Sequence, residues 1–378
     1  MNRKLKFLFI SAPFSGIEIF QRNLYQVISK RDDIESIWSW VDANPKEFIV
    51  HLYPLSLNWT FKAGMIAKSK IKELEKKGEI FDAVFINHLT PLTFIRKFRR
   101  RVPTILSLDI TPPLFANYNT WYQCKKKYKF ALFEKFKFFI TRKAYNDAAF
   151  LLPWSEWVRE SLMRDYGIAP EKIEVIPPGI NLHQWGRKTT DVKRENGKIK
   201  ILFVGGEFLR KGGDILFKVA CREEFKNYEF HFVTRDFHGS PMPNTFFYDK
   251  MEANSDSLRA LYSLADIFAL PTRADFSPNA ICEAMAFELP VITTNVGSLS
   301  ETIHHNENGF FIPMDDESAL ADRLLALIHD KTLRLRLGRA GRELIEMKYN
   351  LEINADRIVN HLKRVALEHR AKIDLASH

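Results

Sequence analysis

Short apolar runs recur along this sequence, are separated by segments of helical character, and fall into two series. The first series lies at residues 5–10, 83–86, 104–108 and 150–152, and the second at residues 200–204, 230–233, 267–270 and 291–293. Strands that alternate with helices predict parallel sheets, which bind ligands beyond the carboxyl ends of their strands. We therefore predict an α/β fold with two parallel-sheet domains that face each other across a cleft.

The length of the chain also favours two domains, because 378 residues exceed what one ordinary core organises. Between the two series lie Pro177, Pro178 and Gly179, followed by a polar segment at 186–198, which is typical of a linker. We predict an N-terminal domain at 1–180, a linker at 181–198 and a C-terminal domain at 199–350. The amphipathic segment 351–378 is predicted to form a helix that packs back on the N-terminal domain.

Three cysteines, far apart and odd in number, argue against a disulfide framework and against a cysteine-based metal site. Basic residues at 3 and 4 precede an apolar run at 5–10 that Lys6 interrupts, so this run is interpreted as a first buried strand and not as a secretory signal. No run of 18 apolar residues occurs in the sequence. We expect a cytoplasmic protein. Its charge distribution is also compatible with peripheral binding to the inner face of the membrane.

The positive charge of the chain lies in its first half. Residues 1–180 carry 29 Lys and Arg against 18 Asp and Glu, a net +11, whereas residues 181–378 carry a net −1. Eight basic residues lie between 124 and 143, around an aromatic stripe at helical spacing, formed by Phe130, Phe133, Phe136 and Ile140. This helix either lies on an anionic membrane surface or turns its phenylalanines to the core with its lysines solvated. No nucleic-acid-binding motif accompanies the charge, so no nucleic-acid partner is expected.

The most informative stretch runs from residue 265 to residue 297. An apolar run ends at Pro271, a short loop carries Asp275, a helix carries Glu283, and a β-branched strand follows. The free N–H groups and the positive dipole at a helix N-terminus suit a phosphate or a cluster of sugar hydroxyls. The alternative interpretation is a βαβ unit with incidental surface acids.

This stretch resembles the donor-site signature of retaining GT-B glycosyltransferases of family 4, in which two glutamates are separated by seven residues. Here the first acid is Asp275 and the second is Glu283. The resemblance continues at residues 155–180, 203–214 and 308–313, is strong from about 150 to 349, and is weak over the acceptor domain. It implies the GT-B architecture, with two Rossmann-like domains.

The resemblance also implies a donor site. Family members commonly carry an arginine where this chain has Gly206, and Arg210 beside the retained Lys211 would supply the missing charge to the diphosphate. Alternatively, Arg210 and Lys211 are solvated at a helix N-terminus. Asp275 is expected to bind sugar hydroxyls, and Glu283 the ribose. The predicted donor-binding residues are Gly16, Gly205, Gly206, Arg210, Lys211, Asp275, Phe276, Ser277, Pro278, Asn279 and Glu283.

The acceptor side is predicted from two strand ends. Asp109 follows the run 104–108, where many members of the family place a histidine, and His88 follows the run 83–86. Asp109 would either accept hydrogen bonds from sugar or acceptor hydroxyls or cap the turn that follows it, and His88 has a structural alternative as well. With Lys211 and Asp275, Asp109 completes the predicted catalytic set.

Taken together, the residues and the resemblance imply a retaining glycosyltransferase. It would move a sugar from a nucleotide-diphosphate sugar to a glycan, lipid-linked or protein acceptor, in the synthesis of cell-surface polysaccharide or glycoconjugates. No cofactor and no metal are expected. The alternatives are a nucleotide-sugar epimerase or hydrolase of the same architecture, and a non-catalytic carbohydrate-binding scaffold.

Overall fold

A computed structural model of the chain describes residues 3–11, 15–40, 59–118, 120–122, 131–186, 197–277 and 279–376. The chain divides into two compact units. The first consists of Met1–Asn119, Gln123–Pro178 and Leu351–His378, and the second of Thr120–Tyr122 and Gly179–Asn350. The final helix therefore belongs to the same unit as the N-terminal half of the chain.

Strands lie at the positions of all eight apolar runs and at three further positions. In the described residues they are β1 (Leu5–Ser11), β2 (Ile34–Trp40), β3 (Ala83–Ile86), β4 (Thr104–Leu108), β5 (Phe150–Pro153), β6 (Lys200–Val204), β7 (Glu229–Val233), β8 (Thr245–Tyr248), β9 (Ile267–Leu270), β10 (Val291–Thr294) and β11 (Gly309–Ile312). The sequence analysis did not include β2, β8 and β11.

Helices connect the strands throughout both units. In the described residues they are α1 (Ser15–Ile28), α2 (Trp59–Lys76), α3 (Leu89–Phe94), α4 (Arg96–Arg99), α5 (Pro112–Ala116), α6 (Ala131–Asp147), α7 (Glu156–Tyr166), α8 (Gly213–Ala220), α9 (Asp256–Leu264), α10 (Asn279–Ala286), α11 (Glu317–His329), α12 (Lys331–Lys348) and α13 (Leu351–Ala376).

The first unit is a parallel sheet with the strand order β2-β1-β3-β4-β5. Residues that alternate along β1 enter different cores: Phe7 and Phe9 pack on the side of α1 and α13, and Leu8 and Ile10 pack on the side of α2 and α6. Because helices cover both faces, the central strands β1, β3 and β4 are mostly apolar.

The last helix, α13, contributes to the first of these cores. Its buried apolar side chains recur every three or four residues, as a single helical face requires. They are Leu351, Ala355, Ile358, Val359, Leu362, Val365 and Ala366. These residues pack in one cluster with the apolar face of α1, so the C-terminal segment forms part of the core of the first unit.

The second unit is a parallel sheet with the strand order β11-β10-β9-β6-β7-β8. The first strand of this unit, β6, lies in the middle of the sheet between β9 and β7. The chain therefore runs outward from β6 through β7 to β8 and then returns to place β9 on the other side of β6, so the strand order switches between the neighbours β6 and β9. In open parallel sheets, the carboxyl edge at such a switch point is the usual place for a ligand.

Candidate functional site

Two loops meet at the switch point of the second unit. The glycine loop, residues 205–212, follows β6, and the acid loop, residues 271–277, follows β9. A backbone hydrogen bond from Arg273 N to Arg210 O, 2.9 Å long, joins the two loops directly. The predicted donor-site residues of the glycine loop therefore lie next to those of the acid loop, at the ends of neighbouring strands.

The close approach of these loops requires glycine at two positions. Gly212 has a φ of +77°, and a β-carbon there would lie 2.0 Å from the carbonyl oxygen of Pro271. Gly297, which follows β10, has a φ of +58°, and its β-carbon would lie 2.1 Å from the carbonyl oxygen of Asp275. A larger residue at either position would displace the acid loop.

Lys211 and Asp275 form an ion pair across the two loops. Both side chains are largely buried, with 14% and 9% of their surfaces exposed. Burial lowers the pKa of the Lys211 ammonium, and the Asp275 carboxylate opposes that shift. Asp275 also accepts the N–H of Phe276 at 3.0 Å, so its carboxylate is held in one orientation.

Arg210 lies beside this pair, and its guanidinium group is fixed by three neighbours. It donates from Nε and Nη2 to Glu207 at 2.8 and 2.6 Å, and from Nη1 to the carbonyl oxygen of Ala274 at 2.6 Å. The Nη1 group also donates to the hydroxyl of Tyr122 at 3.2 Å. The two cations of the site are thus each paired with a carboxylate of the protein.

Arg273 was not among the predicted residues, although it is central to the local structure. It is buried and donates from Nη1 and Nη2 to Asp214 at 2.6 and 2.8 Å, and from Nε to Asp315 at 2.7 Å. Its guanidinium group also donates to the carbonyl oxygen of Leu209. Arg273 therefore ties the acid loop to the glycine loop, and a charged residue within a short buried loop is the signal that could have identified it.

Glu283 lies on α10 and is buried. Its Oε2 accepts a hydrogen bond of 2.9 Å from the hydroxyl of Tyr262, a partner that the sequence analysis did not identify. Burial raises the pKa of the Glu283 carboxyl to about 7, although the bond from Tyr262 opposes the shift. The two acids of the motif therefore differ: Asp275 is paired with a cation, and Glu283 is held by a neutral hydroxyl.

The raised pKa of Glu283 predicts a pH dependence of stability. Between about pH 4.5 and 7 the folded chain keeps the carboxyl protonated whereas the unfolded chain does not, so the free energy of unfolding falls as the pH rises. A shift of this size corresponds to at most roughly 3 kcal/mol. Denaturant unfolding at pH 5 and pH 8 should therefore show a larger loss of stability in the parent than in Glu283→Gln. An equal pH dependence in both proteins would contradict the assignment.

The remaining predicted residues of the second unit surround these groups. Ser277 and Asn279 are half-buried where α10 begins, and Pro278 lies outside the described residues. A β-carbon at Gly206 would meet no atom within 4 Å, so the glycine there is not required by close packing.

Three predicted residues lie in the first unit. Gly16 is the second residue of α1. His88 caps the N-terminus of α3, where its Nδ1 accepts the N–H of Thr90 at 3.1 Å, and burial lowers its pKa to about 4. Asp109 directly follows β4, and burial raises the pKa of its carboxyl to about 6. His88 therefore caps α3, and its role in binding the acceptor stays a prediction. Asp109 is protonated more easily than an ordinary aspartate because of its burial.

In the part of the chain that the structure describes, no three His, Cys, Asp or Glu side chains are grouped as a metal site would require. Function without a metal stays a prediction, because the arrangement of cations and acids in the second unit does not test it.

Two family models match the chain. The model described as Glycosyltransferase Family 4 matches residues 14–184, and the model described as Glycosyl transferases group 1 matches residues 192–330. The Glycosyltransferase Family 4 match covers most of the first unit except its final helix, α13. The group 1 match covers both loops of the candidate site.

Curated relatives match over shorter segments. The capsular polysaccharide biosynthesis glycosyltransferase CapM of Staphylococcus aureus is 36% identical over 94 residues, which is 25% of each chain. A GDP-mannose-dependent mannosyltransferase of Mycobacterium tuberculosis is 31% identical over 116 residues, 29% of this chain and 30% of that protein. The chain thus spans less than a third of the length of these relatives.

Solved structures match over nearly the whole chain. The sucrose-phosphate synthase of Thermosynechococcus elongatus has a TM-score of 0.73 at 16% identity, over 96% of this chain and 99% of that chain. HepE of Anabaena, solved in complex with UDP-glucose, has a TM-score of 0.68 at 14% identity, over 95% and 100%. At these identities the likeness shows the fold, and it confirms the predicted pair of parallel-sheet domains.

Proposed function

Because the chain is a GT-B glycosyltransferase that resembles family 4, we propose that it transfers a sugar from a nucleotide-diphosphate sugar to an acceptor, with retention of configuration. One observation carries the proposal: Lys211 and Asp275 meet at the switch point of the second unit. A cation for the diphosphate and an acid for the sugar are thereby placed side by side, in the unit that also holds Glu283.

The chemistry needs stabilisation of the charge that develops on the departing diphosphate. In this proposal Lys211 and Arg210 supply it, and each cation exchanges its carboxylate partner for phosphate oxygens when the donor binds. The low exposure of both side chains strengthens the interaction, because a charge that is shielded from water is screened less. No metal is assigned a role in this step.

The two acids bind different parts of the donor. Asp275, at the end of the acid loop next to Lys211, accepts hydrogen bonds from hydroxyls of the transferred sugar. Glu283, one turn into α10 and held by Tyr262, accepts hydrogen bonds from the ribose. The resemblance further implies that an oxygen of the leaving group takes the proton of the acceptor, so that the protein supplies no separate base.

On the acceptor side, the proposal assigns Asp109 and His88 of the first unit. The position of Asp109 directly beyond β4 supports a role in binding hydroxyls, because strand ends are where parallel sheets present functional groups. His88 follows β3, the neighbouring strand of the same sheet, and its Nδ1 accepts the hydrogen bond that caps α3.

The comparisons support the class of donor and acceptor. HepE was solved with UDP-glucose, and CapM is named for the biosynthesis of capsular polysaccharide. We propose a nucleotide-sugar donor for this chain and a glycan, lipid-linked or protein acceptor in cell-surface glycan synthesis. Titration calorimetry with UDP, GDP and ADP tests the donor site: one of them should bind, and binding of none would overturn the proposal.

We also propose that the first unit meets an anionic membrane surface. Two phenylalanines on the exposed half of α6, Phe136 and Phe139, are 58% and 63% exposed and three residues apart, so they share a face. Lys135 and Lys137 flank them and are exposed. Phenylalanines with lysines beside them favour insertion at a bilayer interface. Phe130, Phe133 and the cluster Lys125, Lys126 and Lys127 of the predicted surface have no described side chains.

Among the described residues, none of the helices is both long and apolar enough to cross a bilayer.

If α6 binds the membrane surface, removal of its exposed phenylalanines should weaken the affinity for vesicles. Phe136→Ser with Phe139→Ser should weaken binding to anionic vesicles by about tenfold or more, since each buried phenylalanine is worth about 1.5–3 kcal/mol. Co-sedimentation measures this, and Met347→Ser, at an exposed position of α12, is the matched control. Binding that is unaffected by the double change, or no binding at low salt, would refute the surface.

A further inference from the structure

Two neighbouring aromatic residues from the first third of the sequence belong to the second unit. Thr120–Tyr122 clusters with Gly179–Asn350, although more than fifty residues separate the two segments. Each aromatic ring lies against an arginine of the candidate site: Tyr122 is 4.5 Å from Cζ of Arg210, and Trp121 is 5.3 Å from Cζ of Arg273. Both distances are within the range of cation–π attraction.

Tyr122 contacts both loops of the candidate site. Its ring is stacked on Phe276 of the acid loop, with the centroids 5.0 Å apart and the planes inclined by 20°. Its hydroxyl accepts the bond from Arg210 of the glycine loop, and its ring lies under the same guanidinium group. A single half-buried side chain therefore orients the arginine and covers the residue that follows Asp275.

We propose that Tyr122 is a positioning residue of the donor site, which holds Arg210 and Phe276 in the arrangement that receives the diphosphate. This inference rests on the proposed function. Without the Tyr122 side chain, Arg210 loses one of its three neighbours and keeps its bonds to Glu207, whose side chain is 56% exposed, and to the carbonyl oxygen of Ala274. The guanidinium group is then held less firmly in one orientation. Phe276 loses its stacking partner at the same time.

An alternative role for Tyr122, in which it blocks the donor site, predicts the opposite change in donor affinity. If Tyr122 occupied the place of the diphosphate, the donor would have to displace it, and its removal would tighten binding. If Tyr122 positions Arg210, its removal weakens binding of every ligand that carries a diphosphate. Binding of a nucleoside, which has no phosphate, stays unchanged in either case, so the pair of ligands isolates the interaction with Arg210.

The experiment compares variants of the full chain by titration calorimetry with the nucleoside diphosphate that binds the parent and with its nucleoside. Tyr122→Ala should weaken binding of the nucleoside diphosphate about tenfold, within the range expected for a lost stack and cation–π contact. Tyr122→Phe, which keeps the ring but loses the 3.2 Å hydrogen bond from the Arg210 guanidinium group, should weaken binding less than Tyr122→Ala does. Thr120→Ala, at an exposed neighbouring position, is the control. In turnover assays, KM for the donor should rise more than kcat falls.

Tyr122→Leu keeps apolar bulk against Phe276 and gives the same readout if the alanine variant does not fold. Unchanged or tighter binding of the nucleoside diphosphate by either variant would overturn the inference, and so would an equal loss of nucleoside binding. A parent that binds no nucleoside diphosphate would instead overturn the proposed function, so the two failures are distinguishable.

Discussion

Replacing Asp275 by alanine should lower the turnover number by about 100- to 1,000-fold, the usual cost of losing one polar group that stabilises a transition state. The physical reason is that Asp275 is the acid next to Lys211 and would hold the hydroxyls of the sugar while the bond to the diphosphate breaks. Affinity for the bare nucleoside diphosphate, which lacks the sugar, should change much less. Steady-state kinetics together with titration calorimetry separates the two quantities.

Three variants serve as comparisons for this prediction. Asp275→Asn removes the charge but keeps the shape of the side chain, so it separates the loss of the carboxylate charge from the space that the alanine variant leaves beside Lys211. Glu283→Gln should lower affinity for the nucleotide as well as turnover, because its assigned partner is the ribose. Asp322→Ala, at an exposed position of α11, should change neither. Full turnover by Asp275→Ala would remove Asp275 from the site.

Replacing Lys211 by alanine should weaken binding of the nucleoside diphosphate by about 1.5–3 kcal/mol, or roughly 10- to 150-fold, the typical worth of a hydrogen bond to a charged group. The loss should be equal for each nucleoside diphosphate that the parent binds, because Lys211 is assigned to the phosphates and not to the base. Titration calorimetry measures the loss directly.

The same substitution leaves Asp275 buried without its cation, so stability must be measured as well. Lys211→Ala combined with Asp275→Asn removes both charges and should recover stability without recovering affinity. Lys218→Ala is the matched control, since Lys218 lies on α8 with an exposed side chain that pairs with Glu317. An unchanged affinity in Lys211→Ala would show that the diphosphate binds elsewhere.

Strands of this fold differ in how visible they are in the sequence. Central strands such as β4 and β9 are buried at every position, so they are mostly apolar and the run is evident. The three strands absent from the sequence analysis, β2, β8 and β11, all lie at an edge of their sheets. In β2, Glu35 is exposed, and Glu35, Ser36 and Ser39 interrupt the apolar residues, so no continuous apolar run is present.

The candidate site was predictable as a set of residues but not as a set of contacts. The helix start after the acid loop and the resemblance to family 4 together indicated Arg210, Lys211, Asp275 and Glu283. The pairing of Lys211 with Asp275 depends on the order of strands in the sheet, since 64 residues separate them in the chain. The clamp formed by Arg273 and the stack of Tyr122 on Phe276 also depend on tertiary proximity, which the spacing of residues along one chain does not encode.

The central claim, sugar transfer from a nucleotide diphosphate, is tested most directly by incubating the protein with a panel of radiolabelled nucleotide sugars, first alone and then with membrane extract. The account predicts that one donor gives a labelled product and free nucleoside diphosphate only when the extract supplies an acceptor. Release of free sugar at the same rate without extract would indicate a hydrolase, and a changed sugar still attached to the nucleotide would indicate an epimerase. Bound but unaltered donor under both conditions would indicate a scaffold, and each of these three results would contradict the account.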